Sequence, residues 1–241
     1  MTKDLVTHRY TSGEYADLNP DWDSGDSQWK AALVTEMIAK HSLPTKSIVE
    51  IGCGAGGILA SLRGRFPISE IAGYDIAPEL PALWKSHDGL GIRFELGDYF
   101  ERSGEVPDVI LLLDVIEHLG NPYDFLSKLR DRSRYIVFHI PLDLSSLSVL
   151  REDPLLHVRR KVGHLHFFTK SLAIETLTEC GFEITDARYT NASFSAPRRT
   201  WKTKIASIAR RIIYKVMGEA GVRLIGGQTL IVLARPKATS S

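Results

Sequence analysis

Short apolar runs alternate with amphipathic stretches along most of this chain. A polar segment rich in Asp, Ser and Gly covers residues 1–26, after which Trp29, Leu33, Met37 and Ile38 are spaced for one face of a helix over 27–40. Strands are predicted at KSIVEI (46–51), EIAGYDI (70–76), IRFEL (92–96), DVILLLD (108–114), RYIVFHI (134–140), FEITDARYT (182–190) and QTLIVLARP (228–236). Helices fall between them: GGILASLRG (56–64), a stretch opened by Pro78, one started by Asn121 and Pro122, and KSLAIETLTEC (170–180), which Gly181 stops. The fourth strand is apolar almost without interruption, as a strand buried on both faces of a parallel sheet must be. Alternation of this kind predicts an α/β fold with helices on both faces of the sheet.

The simplest division is a single domain over residues 1–241. It carries an N-terminal extension (1–40), a long segment between strand five and the next helix (141–168), and a basic amphipathic insertion (195–226). No internal repeat or low-complexity tract interrupts it.

Composition narrows the class. The chain has 241 residues, 44% of them hydrophobic and 24% charged, with a formal net charge of +1 that exerts no general pull on nucleic acid. Its cysteines, Cys53 and Cys180, form no disulfide framework or metal knuckle. MTKDLVTHRY lacks the apolar core of a signal peptide, and the run VILLL is far shorter than the about 18 residues of a membrane span. A cytoplasmic protein is expected.

The candidate chemistry starts at IVEIGCGAGG (48–57). Gly52, Gly54 and Gly57 fit a dinucleotide-binding turn, whereas Gly52, Gly54 and Gly56 preceded by Glu50 fit another pattern. In a doubly wound sheet, ligands bind beyond the carboxyl ends of the strands. Those ends carry Glu50, Asp75, Asp98 and Asp114, an acidic residue after each of the first four strands. Asp75 suits the ribose hydroxyls of any adenosine cofactor. A pyrophosphate at the glycine turn wants N–H donors and not the Glu50 carboxylate. A zwitterionic amino-acid tail fits better, its ammonium on the acidic side and its carboxylate on the loop N–H groups. Asp98 can then accept the adenine amino group, with Tyr99 beside it for ring contact.

EIGCGAG (50–56), YDI (74–76), GDY (97–99) and DVIEHL (114–119), in that order, resemble the motifs of class I S-adenosylmethionine-dependent methyltransferases, and are most similar to the small-molecule group that includes the ubiquinone O-methyltransferases. The resemblance covers residues 46 to about 191 and the final strand. It implies a Rossmann-like three-layer sandwich whose seventh strand is antiparallel and inserted between the fifth and sixth. It also implies cofactor contacts: Glu50, Gly52, Gly54 and Gly56 at the methionine part, Asp75 at the ribose, Asp98 at the adenine and Asp114 on the ammonium side. Cys53, Ile76, Tyr99 and Val115 stand beside them, Cys53 as a small residue and not a nucleophile.

Methyl transfer to a hydroxyl needs an aligned acceptor and gains from a general base. The candidates are Glu117, His118, His139, His164 and His166. His118 also suits a packing or helix-start role, the facing of His139 is open, and His164 and His166, two apart, are expected to point the same way. A metal site of His157, His164 and His166 is rejected because no carboxylate or cysteine completes a known spacing. Segment 141–168 is the expected specificity cap. Its Arg151, Arg159, Arg160 and Lys161 form either an anion pocket or a solvated helix face. Tyr10, Tyr15, Trp22 and Trp29 are expected to fold over the cofactor as a lid, although Trp29 also reads as core.

Residues 198–217 hold seven basic and no acidic residues, with Trp201, Ile205, Ile208, Ile212 and Val216 as an apolar stripe. The stripe fits peripheral contact with an anionic membrane, packing on the sheet, or a homodimer contact. The expected function is therefore S-adenosylmethionine-dependent methylation of a small-molecule acceptor, most simply at a hydroxyl, a glycan or lipid-linked precursor included. A catalytically inactive cofactor-binding partner subunit is the alternative. An NAD-dependent oxidoreductase is disfavoured by Glu50 and Asp98, and a nucleic acid substrate by the lack of an Asn/Asp-Pro-Pro-aromatic element after strand four.

Overall fold

The structure is a computed structural model that describes residues 5–22, 24–192 and 201–238, with the backbone alone at 5, 6, 201–207 and 209. Among these residues seven strands form one sheet: β1 (Ser47–Ile51), β2 (Glu70–Asp75), β3 (Ile92–Leu96), β4 (Val109–Leu113), β5 (Tyr135–Leu142), β6 (Phe182–Tyr189) and β7 (Gln228–Pro236). Their order is β3-β2-β1-β4-β5-β7-β6. The first five run parallel, and β7 lies antiparallel between β5 and β6. This is the expected Rossmann-like arrangement, and strand order reverses between β1 and β4.

The period-2 geometry of strands sorts the apolar residues into two layers. Val109, Leu111 and Leu113 of β4 face one core while Ile110 and Leu112 face the other. The first core packs under α3 (Ser27–Lys40), α4 (Gly57–Arg63) and α5 (Leu80–Trp84), through Val34, Leu59 and Leu80 among others. The second packs under α6 (Pro122–Arg130) and α9 (Lys170–Glu179), through Leu126 and Leu177. Helix starts follow local chemistry: Asn121 and Thr169 accept N–H groups of the first turns of α6 and α9.

Element boundaries agree with the sequence pattern to within a residue or two. The largest extension is at β5, which continues to Leu142 because its antiparallel pairing with β7 runs on to Leu142 opposite Gln228. Two features were not legible in the pattern. The polar N-terminal stretch contains α1 (Leu5–Thr11) and α2 (Glu14–Leu18). Segment 141–168 holds α7 (Ser146–Arg151), α8 (Asp153–His157) and a π-helical turn, Val158–Val162. After β6, the basic segment forms α10 (Trp201–Met217), followed by α11 (Glu219–Ile225).

Helix α4 and the glycine turn approach β2 closely at Gly73. A Cβ there would lie 2.7 Å from Leu59 Cδ1 and 2.8 Å from Cys53 Sγ. Gly73→Ala should therefore overpack this layer and destabilise the fold by about 1–3 kcal/mol. Urea denaturation checks it: the midpoint falls with an unchanged slope, and adding Cys53→Ala to the Gly73→Ala protein recovers part of the loss.

Candidate functional site

A cavity of about 440 Å³ opens at the carboxyl ends of β1, β4 and β5, the crevice where the strand order reverses. The alternation that builds the two cores also aims its polar residues. Ile48 of β1 and Val137 of β5 belong to the α3 side of the sheet, so Glu50 and His139, two residues further along each strand, face that side as well. The register of β5 thus decides the facing of His139, and Trp29 of α3 meets its ring edge-on at 5.7 Å.

Asp114 is the centre of this face. It follows β4 in the left-handed backbone region, with φ 54°. Its Oδ1 lies 2.6 Å from His139 Nδ1 and its Oδ2 2.6 Å from Lys30 Nζ. Burial alone would raise the Asp114 carboxyl, but His139 and the Lys30 ammonium override it and hold it far below the usual carboxylate range. His139 Nε2 is 2.8 Å from Thr229 Oγ1, so both of its ring nitrogens are engaged. Glu50, 1% exposed, lines the same wall and its Oε2 makes no hydrogen bond. Burial pushes its carboxyl up to about 8, against an opposing pull from Lys30. Lys30 was missed in the sequence, because a lysine in the first turns of a predicted helix carries no motif.

The glycine turn needs its glycines for two separate reasons. Gly52 and Gly56 have φ of 73° and 81°, and a Cβ on either would strike Val115 (2.7 Å) or Phe94 (2.6 Å). Gly57, the third glycine of the dinucleotide pattern, serves packing instead. A Cβ there would sit 2.6 Å from Ser27 Oγ, so its absence lets α3 close onto α4. Asp75 braces the turn, its Oδ2 accepting the Gly54 N–H at 2.9 Å and its Oδ1 the Ala77 N–H at 3.1 Å. Trp84 Nε1 donates to the Gly54 carbonyl from below. Cys53 is buried, and burial drives its thiol well above the ordinary range, so it stays protonated.

The opposite wall brings the histidines into contrast. His164 is buried, lines the cavity, and holds Nδ1 at 2.6 Å from Asp143 Oδ2. His118 packs edge-on against it at 4.9 Å and faces the Tyr10 hydroxyl through Nδ1 at 2.8 Å. Burial, aided by His164, lowers His118 to about 4, while burial and Tyr15 raise Tyr10, so the hydroxyl keeps its proton and donates it to a neutral imidazole. Both oxygens of buried Glu117 lack a hydrogen bond, and burial followed by the Asp114 charge raises this carboxyl well above its usual range. One ligand atom each from Glu117, His118 and His164 lie within 4.8 Å of one another.

Several expectations are corrected. His166 does not share the facing of His164: the Leu165 and His166 N–H groups both bond to the Glu117 carbonyl, and His166 Nε2 meets the Leu119 carbonyl at 2.9 Å, outside the cavity wall. Tyr99 is 2% exposed, edge-on to Tyr74 in the second core, because Asp98 caps a 3₁₀ turn (accepting the Phe100 N–H) that turns the ring inward. Neither Asp98 nor Tyr99 lines the cavity, whereas Ile76 and Val115 do. Arg151, Arg159, Arg160 and Lys161 are exposed, a solvated face and not an anion pocket. His157 is exposed too, and the convergent group among the described residues is Glu117, His118 and His164, not the rejected set of His157, His164 and His166.

Tyr10, Tyr15, Trp22 and Trp29 all line the cavity. The Tyr15 ring packs at a tilt against Tyr10 (centroids 4.9 Å apart) and Trp22 (5.2 Å). Arg9 donates to the carbonyls of Arg159, Arg160 and Lys161, and Asn19 to that of Lys161, which ties α1 and α2 to the π-helical turn.

A methyltransferase-domain family matches residues 26–187. The ubiquinone biosynthesis O-methyltransferase of Roseobacter denitrificans is 31% identical over 124 residues, 49% of this chain and 47% of that protein. Its counterpart from Cereibacter sphaeroides is 33% identical over 121 residues, 48% and 46% of the two chains. The chain spans about half the length of the curated relatives it matches. Among solved structures, the plantazolicin methyltransferase BpumL, in complex with a desmethyl plantazolicin analog and S-adenosylhomocysteine, superposes with a TM-score of 0.64 at 16% identity, covering 97% of this chain and 94% of that one. The Haloferax volcanii protein solved with the Trm112 methyltransferase activator gives a TM-score of 0.64 at 15% identity, covering 98% and 99%. These two show a shared fold.

The raised Glu50 carboxyl makes a stability prediction. A carboxyl raised from 4.5 to about 8 in the folded state favours folding below pH 4.5 and loses that contribution as pH rises from 4.5 to about 8. Glu50→Gln should therefore raise the Tm of the ligand-free protein at pH 8 by at least about 2–4 °C, the shift produced by about 1 kcal/mol in a domain of this size. At pH 4.5 the two Tm values should converge. Differential scanning calorimetry at both pH values checks this.

Proposed function

The chain belongs to the class I S-adenosylmethionine-dependent methyltransferases, with S-adenosylmethionine as its cofactor, and from that premise we propose that it methylates a hydroxyl group of a small-molecule acceptor. The buried residues suit this cofactor. Glu50 Oε2, buried and without a hydrogen bond, is a fitting acceptor for the methionine ammonium, and Lys30 is placed to receive the methionine carboxylate. Gly52 and Gly56 keep the turn open where side chains would fill it, and Asp75 retains lone pairs for the ribose. When bound, the cofactor supplies an electrophilic methyl group. Tyr10, Tyr15 and Trp22 then act as an N-terminal lid that excludes water, and segment 141–168 as the wall that selects the acceptor.

The observation that carries the hydroxyl assignment is the Asp143–His164 pair in the cavity wall. Asp143 fixes the Nδ1–H tautomer and leaves Nε2 of His164 to take the acceptor's hydroxyl proton. The other histidines are worse placed. His139 spends both nitrogens on Asp114 and Thr229, and His118 is too weak a base and already accepts from Tyr10. His166 serves as a brace. The ubiquinone biosynthesis relatives are likewise O-methyltransferases.

A second reading rests on Glu117, whose buried oxygens have no hydrogen bond and whose side chain converges with His118 and His164. A divalent cation held there would supply a Lewis acid for the acceptor oxygen. Calorimetric titration of Mg²⁺ or Zn²⁺ decides it: binding lost in Glu117→Gln supports the cation, and no binding to the wild type removes it.

His164→Ala should lower kcat by about 10²–10⁴-fold, the usual worth of a general base, while S-adenosylmethionine affinity by calorimetry changes less than about twofold. His166→Ala should leave kcat nearly intact, and equal losses in both would overturn the assignment of His164. Glu50→Gln should weaken S-adenosylmethionine binding by about 10–150-fold, corresponding to a lost charged hydrogen bond of about 1.5–3 kcal/mol.

A further inference from the structure

Helix α10 exposes the wrong side chains for a helix that merely packs on its own domain. Its inner face is made by Ile213, against which Gly221 of α11 sits, and by Tyr214, whose hydroxyl donates to the Gly226 carbonyl. The apolar stripe points the other way: Ile208 is 63% exposed, Ile212 62% and Val216 79%. These residues fall at i, i+4 and i+8, a continuous strip about 12 Å long at 1.5 Å per residue. Exposed Arg211 and Lys215 border one edge of it. Packing of Ile208, Ile212 and Val216 on the sheet is thereby corrected, whereas the side chains of Trp201 and Ile205 lie outside the described residues.

The position of the helix pair matters as much as its chemistry. The chain leaves the sheet after Tyr189 and re-enters it at Gln228, and Ala192 and Thr229, close to those two ends, line the cavity. The segment that carries α10 and α11 is therefore bracketed by two residues of the cavity wall. Helix α7, which packs against α11, adds exposed Val149 and Leu150 nearby. No helix among the described residues is long and apolar enough to cross a membrane.

We propose that α10 is a membrane-docking helix, laid flat on an anionic lipid surface with Ile208, Ile212 and Val216 inserted at the headgroup boundary and its basic residues against the lipid charge, so that the cavity opens toward that surface. The seven basic and no acidic residues of 198–217 select an anionic bilayer over a second copy of the chain, because a twofold contact would press the same basic edge against itself. The inference concerns binding and stands apart from the hydroxyl-methylation reading, so either can fail without the other.

Vesicle co-sedimentation of the whole protein tests it. Binding is expected to phosphatidylcholine vesicles containing phosphatidylglycerol and not to phosphatidylcholine alone, and it should fall steeply with added salt. Ile212→Asp with Val216→Asp should abolish sedimentation, and Arg211→Glu with Lys215→Glu should weaken it by about tenfold or more. Calorimetric S-adenosylmethionine affinity within about twofold of wild type would show that these surface variants remain folded. Wild-type protein that stays in the supernatant with anionic vesicles would overturn the proposal. So would a dimer seen by light scattering that Ile212→Asp dissociates, since the face would then belong to a second copy.

Discussion

The Asp114 carboxylate is the constraint on which the site depends. It stands on a residue with positive φ at the end of β4, and its two oxygens are claimed by His139 of β5 and Lys30 of α3. Three elements far apart in sequence are joined through one partly buried charge, which desolvation alone would make unfavourable. Lys30 and His139 make it tolerable, and in doing so they fix how far α3 lies over the sheet. Lys30 also pulls on Glu50, so the two acidic residues of this wall share one cation yet differ in charge: Asp114 is ionised and Glu50 is close to neutral at pH 7.

That difference suits a ligand with an ammonium and a carboxylate. A wall of two fully ionised carboxylates around one lysine would bear excess negative charge in the protein alone. Burial holds Glu50 mostly protonated at neutral pH, and an arriving cation favours its ionised form. The opposite wall uses another device. Burial keeps Tyr10 protonated and His118 unprotonated, and Asp143 orients His164, the base that we propose. In the proposed function the two walls divide cofactor recognition from acceptor chemistry. The lid residues connect them, since Tyr10 hydrogen-bonds His118 while Arg9 ties the same helix to the π-helical turn.

The strands and the two-layer core were legible in the sequence because they rest on short-range rules, whereas the strand order came from the motif resemblance. Period-2 burial marks VILLL as a central strand, and glycines at 52 and 56 mark a turn that no other residue enters. The acidic residues at strand ends follow from topology alone. The same rules failed at Tyr99, where capping by Asp98 rotates the following ring into the core, and at His166, where a spacing of two on an irregular segment does not guarantee a shared facing.

The sequence by itself determined the fold, the cofactor turn and the basic amphipathic character of 198–217, since these depend on residue type and spacing within a few turns of chain. Only the tertiary structure decided which partners each titratable group meets. Lys30 reaches Asp114 across 84 positions, Asp143 orients His164, and Glu117 meets His118 and His164, all through long-range packing that no local pattern encodes. The tertiary structure also turned the stripe of α10 outward, because Ile213 and Tyr214 rather than Ile212 and Val216 hold the helix to α11. A stripe is written in the sequence, but what it faces depends on where the rest of the chain folds.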